Sequence, residues 1–420
     1  MLRDRYDNKI TTGSDAARDH YIMGVDRVLS GAADMATPFE AAIAADDNFV
    51  LGYSGLARAL TLSNDMSGAK AALAQAIKVS NGVTTRELSH LNVMRLQFEG
   101  KAAKALVAMK EHVASYPRDA IIVGLSTGVF GMIGFSGHKG REAELLAFTS
   151  MLAPHYGEDW WMLTQHAFSL CEVGKLAEAG KLVERSLTIK RDHSHAAHVR
   201  SHVYYEAGNL TDGIRFLENW MPGYSRAGMM HGHLAWHVAL WALEQGDMDK
   251  MWAWVDEEVK PDASIGLPIN MITDTASILY RAELAGQSVD PVRWQHISEY
   301  ASKAFPRVGN SFVDMHAALA HAMAGRQDEL ADYVDAAKGF AADVVQDCAK
   351  AFEAIRRQDW ASATTALSKA LVDGARLGGS RAQRDVLEYS LVNVLLRQGK
   401  GEEAERIIGL RRPLRAHGVH

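Results

Sequence analysis

The stretch His231-Gly-His-Leu-Ala-Trp-His-Val-Ala-Leu-Trp-Ala-Leu-Glu-Gln-Gly-Asp-Met248 decides how this chain is read. Apolar residues run round the whole circumference of a helix here, through Leu234, Val238, Leu240, Trp241 and Leu243. A helix apolar nearly all round is buried. Gly246 provides the left-handed residue that ends it. Within it His233 and His237 stand four residues apart, so they share one face, one turn apart.

The same punctuation recurs as Glu-Val-Gly174-Lys-Leu, Glu-Ala-Gly208-Asn-Leu, Leu-Ala-Gly286-Gln-Ser, Met-Ala-Gly325-Arg-Gln, Arg-Arg-Gln358-Asp-Trp and Arg-Gln-Gly399-Lys-Gly. With Gly246 included, successive turns are 34, 38, 40, 39, 33 and 41 residues apart. Two helices per period of that length predict an all-α superhelix of helical hairpins, an α-solenoid. The pattern resembles degenerate tetratricopeptide repeats. Ala167, Ser201, Ala239 and Ala318 fall seven residues before their turns, and Ala179, Gly213 and Ala404 five after, where paired helices must approach closely. Met251 and Leu330 depart from the pattern.

We expect residues 1–140 to form N-terminal helical hairpins, and 141–420 to form degenerate repeats continuing the same superhelix. Tyr21 to Leu60 and Ser67 to Ser80 read as helical. Thr84-Thr-Arg-Glu87 is a capping box opening a helix to Phe98. Gly124 to Gly140 reads as a weak helix and then a loop, with neither the preceding strand nor the Lys-Ser/Thr that a phosphate cradle needs. Ser380 reads as a helix N-cap behind Gly378 and Gly379.

The 420 residues are 48% apolar with a net charge of -6. No Lys/Arg block precedes Arg411-Arg412-Pro-Leu-Arg415, so nucleic acid is not expected as a partner. Cys171 and Cys348 lie too far apart in sequence for a disulfide framework, which suits a reducing, cytoplasmic setting. The N-terminus is polar, and no run approaches the roughly 18 apolar residues of a membrane span. A homodimer through an apolar end cap fits a solenoid.

The chain also resembles the tetratricopeptide repeat protein 38 family along most of its length. The resemblance is carried by His233-Leu-Ala-Trp-His237-Val-Ala-Leu with Glu244-Gln-Gly-Asp, by Asp274-Thr-Ala-Ser-Ile-Leu-Tyr-Arg281, by Asp314-Met-His316 and by Gly378-Gly-Ser-Arg-Ala-Gln-Arg-Asp385. It implies a closed-up superhelix and points to these polar positions without supplying a chemistry.

Seven of the 18 histidines fall between His193 and His237. His198 and His202 lie in one hairpin's first helix and His233 and His237 in the next, at positions that face the groove in such repeats. His316 and Asp314 follow in a later repeat, and Glu172, Glu206 and Glu244 share one repeat position. Three readings stay open. Two His-x3-His pairs with Asp274, Asp314 and His316 have the ligand types for Zn or Fe, although the glutamate of a His-Glu-x-x-His protease is missing and the sequence requires no cofactor. Alternatively His237, His202, His316, Asp314 and Asp385 carry acid–base chemistry of hydrolase type, the carboxylates orienting a histidine. Arg384, His198, His233, Asp274, Gln383 and Ser380 would then hold a small polar molecule, with Ser380 a nucleophile only if a histidine reaches it. In the third reading the polar residues tie repeats together, and the groove is a non-catalytic scaffold for a protein or peptide. A clamp for a peptide carboxylate is disfavoured, because the positions that carry Lys, Arg and Asn in such clamps hold His here. Trp160, Trp161, Trp236, Trp241, Trp252 and Trp254 read as packing aromatics, and Met229, Met230 and Met323 as core filler.

Overall fold

The turns do what their glycines require. Gly174, Gly208, Gly246, Gly286, Gly325 and Gly399 have φ of 82°, 77°, 79°, 83°, 74° and 73°, and Gln358, at the equivalent place, is forced to 59°. In this computed structural model, which describes residues 1–411, twenty-two α-helices run from Asp15–Ser30 to Gly401–Arg411. The basic tail after Arg411 lies outside the described residues. The fold is an all-α superhelix of helical hairpins. A short antiparallel pairing of Leu2–Arg3 with Lys9–Ile10, which the helical composition does not announce, precedes the first helix.

From Trp160 onward the hairpins stack in two layers. The first helices, Trp160–Glu172, Ser194–Ala207, His231–Glu244, Pro268–Leu284, Ser311–Ala324 and Ala342–Arg356, each pack on the next and form the inner layer. Their partners, among them Leu176–Ile189 and Leu210–Trp220, lie outside. The small residues explain the close stacking. Ala167, Ser201, Ala239 and Ala318 are fully buried, and a Cβ on Gly213 would lie 2.9 Å from the Trp241 ring. Met251 and Leu330 break the small-residue pattern yet are also buried.

The superhelix closes on itself at two seams. At one, His193 and Ser194 bond to the carbonyls of Leu29 and Ser30, at 3.2 and 2.8 Å. At the other, helix Arg381–Arg397, the first of the last hairpin, packs against Ser194–Ala207 and Pro268–Leu284. Its N-terminus is a capping box, with Ser380 accepting from the Gln383 N–H. Arg141, buried and pushed down to about 10 by that burial, donates to the Gly379 carbonyl at 2.6 Å.

Two N-terminal expectations need correction. Tyr21 to Leu60 is not one helical run: Gly31 in the left-handed conformation ends Asp15–Ser30, and an Asp46–Asn48 turn separates Thr37–Ala45 from Val50–Leu62. The glycine-rich segment holds only the short helix Ala120–Gly124 followed by turns. Gly131 and Gly134 sit so close to the backbone of residues 126–129 that no Cβ fits, so the chain folds back there instead of winding. The Thr84/Glu87 capping box is present and opens Thr85–Phe98.

Gly379 has φ of 70°, and an added Cβ would lie 2.2 Å from the Phe312 ring. Gly379→Ala is expected to cost about 2–4 kcal/mol in urea denaturation, from left-handed strain plus overpacking. Gly180, inside Leu176–Ile189 with nothing nearer than Val203 at 3.8 Å, should gain about 0.5–1 kcal/mol as Ala.

Candidate functional site

Helices Ser194–Ala207 and His231–Glu244 are neighbours in the inner layer, and each carries a His-x3-His pair on the face it turns to the other. His198, His202, His233 and His237 are all buried, with ligand-type atoms within 4.8 Å of one another. His198 Nε2 lies 2.8 Å from His202 Nε2 and 3.0 Å from His233 Nε2. On the far side of its ring, His233 Nδ1 is 2.7 Å from Asp274 Oδ2, a buried carboxylate on Pro268–Leu284. Neither nitrogen of His237 has a partner, nor has His202 Nδ1. Trp236 stacks on His233 at 5.3 Å, and Trp241 lies 5.7 Å from the His237 ring.

The electrostatics follow from burial. Loss of solvent holds His198 and His237 well below the usual imidazole range and His202 at about 3, the neighbouring imidazoles adding to the effect. His198, His202 and His237 are therefore neutral, with lone pairs available, at physiological pH. Burial raises Asp274, with His233 opposing.

The other candidates are elsewhere. His316 donates from Nδ1 to the Phe312 carbonyl at 2.8 Å. Asp314 accepts from the Gly309 N–H at 2.9 Å, and burial pushes it up to about 7. Asp385 accepts from the Tyr205 hydroxyl at 3.0 Å. The carboxylate found beside a candidate histidine is thus Asp274, and the pairing expected of Asp314 or Asp385 is corrected. Ser380 exchanges hydrogen bonds with Gln383 as a cap, with no histidine among these partners, so its nucleophile role lapses. Arg384 is taken up by Glu142 and the carbonyl of Gly379, because it ties the closing helix to Arg141–Tyr156, and so is not a free anchor for an anion. The shared repeat position of three glutamates does not make one acidic groove: Glu172 and Glu206 are buried, while Glu244 is exposed.

A cavity of about 340 Å³ lies beside the cluster, where the N-terminal helices face the inner layer. His198 and His233 border it, with His195 and Gln383. Most of its wall is apolar, including Val129, Phe130, Trp161, Met229 and Met230, so the last two are lining as well as filler. The sequence reading passed over Arg58, which also lines it. No carboxylate pairs with Arg58 among the described residues, and burial pushes it down to about 10. Its signal was available: it is the one charged residue in the helix Val50–Leu62.

A second buried polar set was also missed. Ser54 Oγ is 2.7 Å from His90 Nε2, and His90 Nδ1 is 3.0 Å from Asp119 Oδ2. Arg86 and His112 hold the same carboxylate, at 2.6 and 3.2 Å, and His90, Arg86 and His112 together keep it well below the usual range against the cost of burial. The chain of partners is that of a hydrolytic triad. However, Ser54 is fully buried, and the space found on the Asp119 side is about 10 Å³. It ties three N-terminal helices together.

No family model matches the chain. Solved structures of similar arrangement include a tetratricopeptide repeat protein from Parabacteroides merdae, 14% identical over 64% of this chain and 98% of that one, with a TM-score of 0.41. An IFIT1 monomeric mutant with Gppp-AAAA is 13% identical over 98% of each chain, with a TM-score of 0.47. The human IFIT1 dimer with PPP-AAAA is 13% identical over 99% of this chain and 94% of that one, with a TM-score of 0.45. The likeness concerns helical-repeat architecture alone. One expectation is corrected: those IFIT1 structures are solved with Gppp-AAAA and PPP-AAAA, and a net charge of -6 does not by itself exclude nucleic acid as a partner. Both cysteines are free and buried, and among the described residues no helix is long and apolar enough to cross a membrane.

Burial also sets a pH dependence away from the cluster. His316 and His321 are held at about 4, so the unfolded chain binds protons between about pH 6.5 and 4 that the fold refuses. Their contribution is full above about pH 6.5 and declines as the pH falls. Asp314, at about 7, acts in the opposite sense. His321→Asn keeps a polar partner for Ser298 but removes one titration. Between pH 7 and 5 it should lose about 1–2 kcal/mol less stability than the parent in urea denaturation.

Proposed function

We propose that this chain is a ligand-binding solenoid whose enclosed pocket takes a small molecule with an apolar body and an anionic group. The carrying observation is Arg58, a guanidinium at the cavity with no carboxylate to pair with among the described residues. Arg58 is half-buried, and a ligand carboxylate or phosphate would offer its guanidinium forked hydrogen bonds. The volume suits a small ligand. The apolar wall asks for more than the small polar molecule expected from the sequence. Any acid–base or hydrolytic step would fall to His198 and His233, which border the pocket. The resemblance to the tetratricopeptide repeat protein 38 family belongs to this same reading.

A second reading, a non-catalytic interaction scaffold, is favoured by the exposed Leu396, Ile408 and Leu410 on the C-terminal hairpin. An exposed apolar end is where a solenoid meets a partner or a second copy.

A thermal-shift and calorimetric panel separates them. It sets medium-chain carboxylates and phosphates against the matching neutral alcohols, with a 5′-triphosphate oligonucleotide as a further arm. Carboxylates or phosphates should stabilise the chain more than the alcohols, and Arg58→Gln should weaken them about 10- to 100-fold, the worth of a charge-assisted hydrogen bond. Equal binding of acids and alcohols, or none of either, returns the chain to the scaffold reading.

A further inference from the structure

We propose that His198, His202, His233 and His237 hold a divalent transition-metal ion, with Asp274 orienting His233 from behind. The first argument is valence. An imidazole nitrogen offers either one N–H or one lone pair, directed along a single line in the ring plane. His198 Nε2 nevertheless lies within hydrogen-bond distance of two other ring nitrogens, at 2.8 and 3.0 Å. No placement of protons satisfies both contacts. A cation at the common focus of the lone pairs satisfies them together, and two nitrogens bound tetrahedrally at about 2.0–2.1 Å are about 3.3 Å apart.

The second argument is the orphaned ring. His237 is fully buried with neither nitrogen partnered, in a protein interior where such groups are nearly always satisfied. The third lies behind the ligands. The 2.7 Å contact from His233 Nδ1 to Asp274 places the N–H on that side and turns the Nε2 lone pair to the focus. A carboxylate on the outer nitrogen is the usual support of a metal-bound histidine. Each feature has a separate origin in the chain: two i, i+4 pairs, the stacking of two repeats, and a carboxylate from a third repeat.

Four imidazoles suit zinc, iron, copper or nickel, and on zinc they complete a tetrahedral shell. The ion would tie two successive hairpins, one ring away from whatever occupies the pocket. The inference does not depend on the pocket taking an anion, and its test uses none.

The untagged full-length chain from metal-supplemented culture is dialysed and analysed for elements. About one transition-metal ion per chain is expected. The stripped chain is then titrated with Zn2+, read by melting temperature, and with Co2+, read by ligand-field absorption. A saturable rise in melting temperature and bands of nitrogen-coordinated Co2+ are expected. H198A/H237A should abolish both, and Asp274→Asn should loosen Co2+ about 10- to 100-fold. A parent chain that retains no ion and shows neither response overturns the site, as does undiminished stoichiometric binding in H198A/H237A. Should that double variant fail to fold, the parent titration decides by itself.

Discussion

Everything notable in this molecule depends on how closely successive inner helices approach. Four imidazoles from two helices can gather within 4.8 Å only when the backbones are drawn together, as Ser194–Ala207 and His231–Glu244 are. The same approach places Asp274, one repeat further on, against the outer nitrogen of His233.

Closure is the second condition. An open solenoid would expose its inner face to water, and the cavity would be a groove. Here the N-terminal helices seal one side through the Leu29–Ser30 carbonyls, and Arg381–Arg397 fills the other. The most distinctive sequence block, Gly378 to Asp385, therefore works chiefly as a joint. Its two glycines adopt left-handed backbone, Ser380 and Gln383 cap the helix, and Arg384 is committed to Glu142 and Gly379. Polar residues that look functional in sequence are equally what a buried junction demands, because every backbone group there needs a partner.

The two buried histidine sets show how partners decide roles. His90 and His112 converge on Asp119, which Arg86 also holds, and the space found beside Asp119 is about 10 Å³. The set around His198 has a surplus of lone pairs, two nitrogens of His237 with nothing to bind, and a cavity alongside. Composition alone would rank the two alike.

By itself the sequence determined the helical class, the hairpin period and the turn positions, since glycine at a left-handed turn and small residues at close contacts are local requirements. It also placed both His pairs on helix faces, because four-residue spacing is a property of one helix. What it left open was every relation between distant segments: that Asp274 meets a histidine of the cluster, that Arg384 is spent on a seam, that Arg58 faces the cavity with no carboxylate paired to it among the described residues. Those follow from which helices stack and where the superhelix closes. Such contacts join residues 41 to 242 positions apart, through packing that no local pattern encodes.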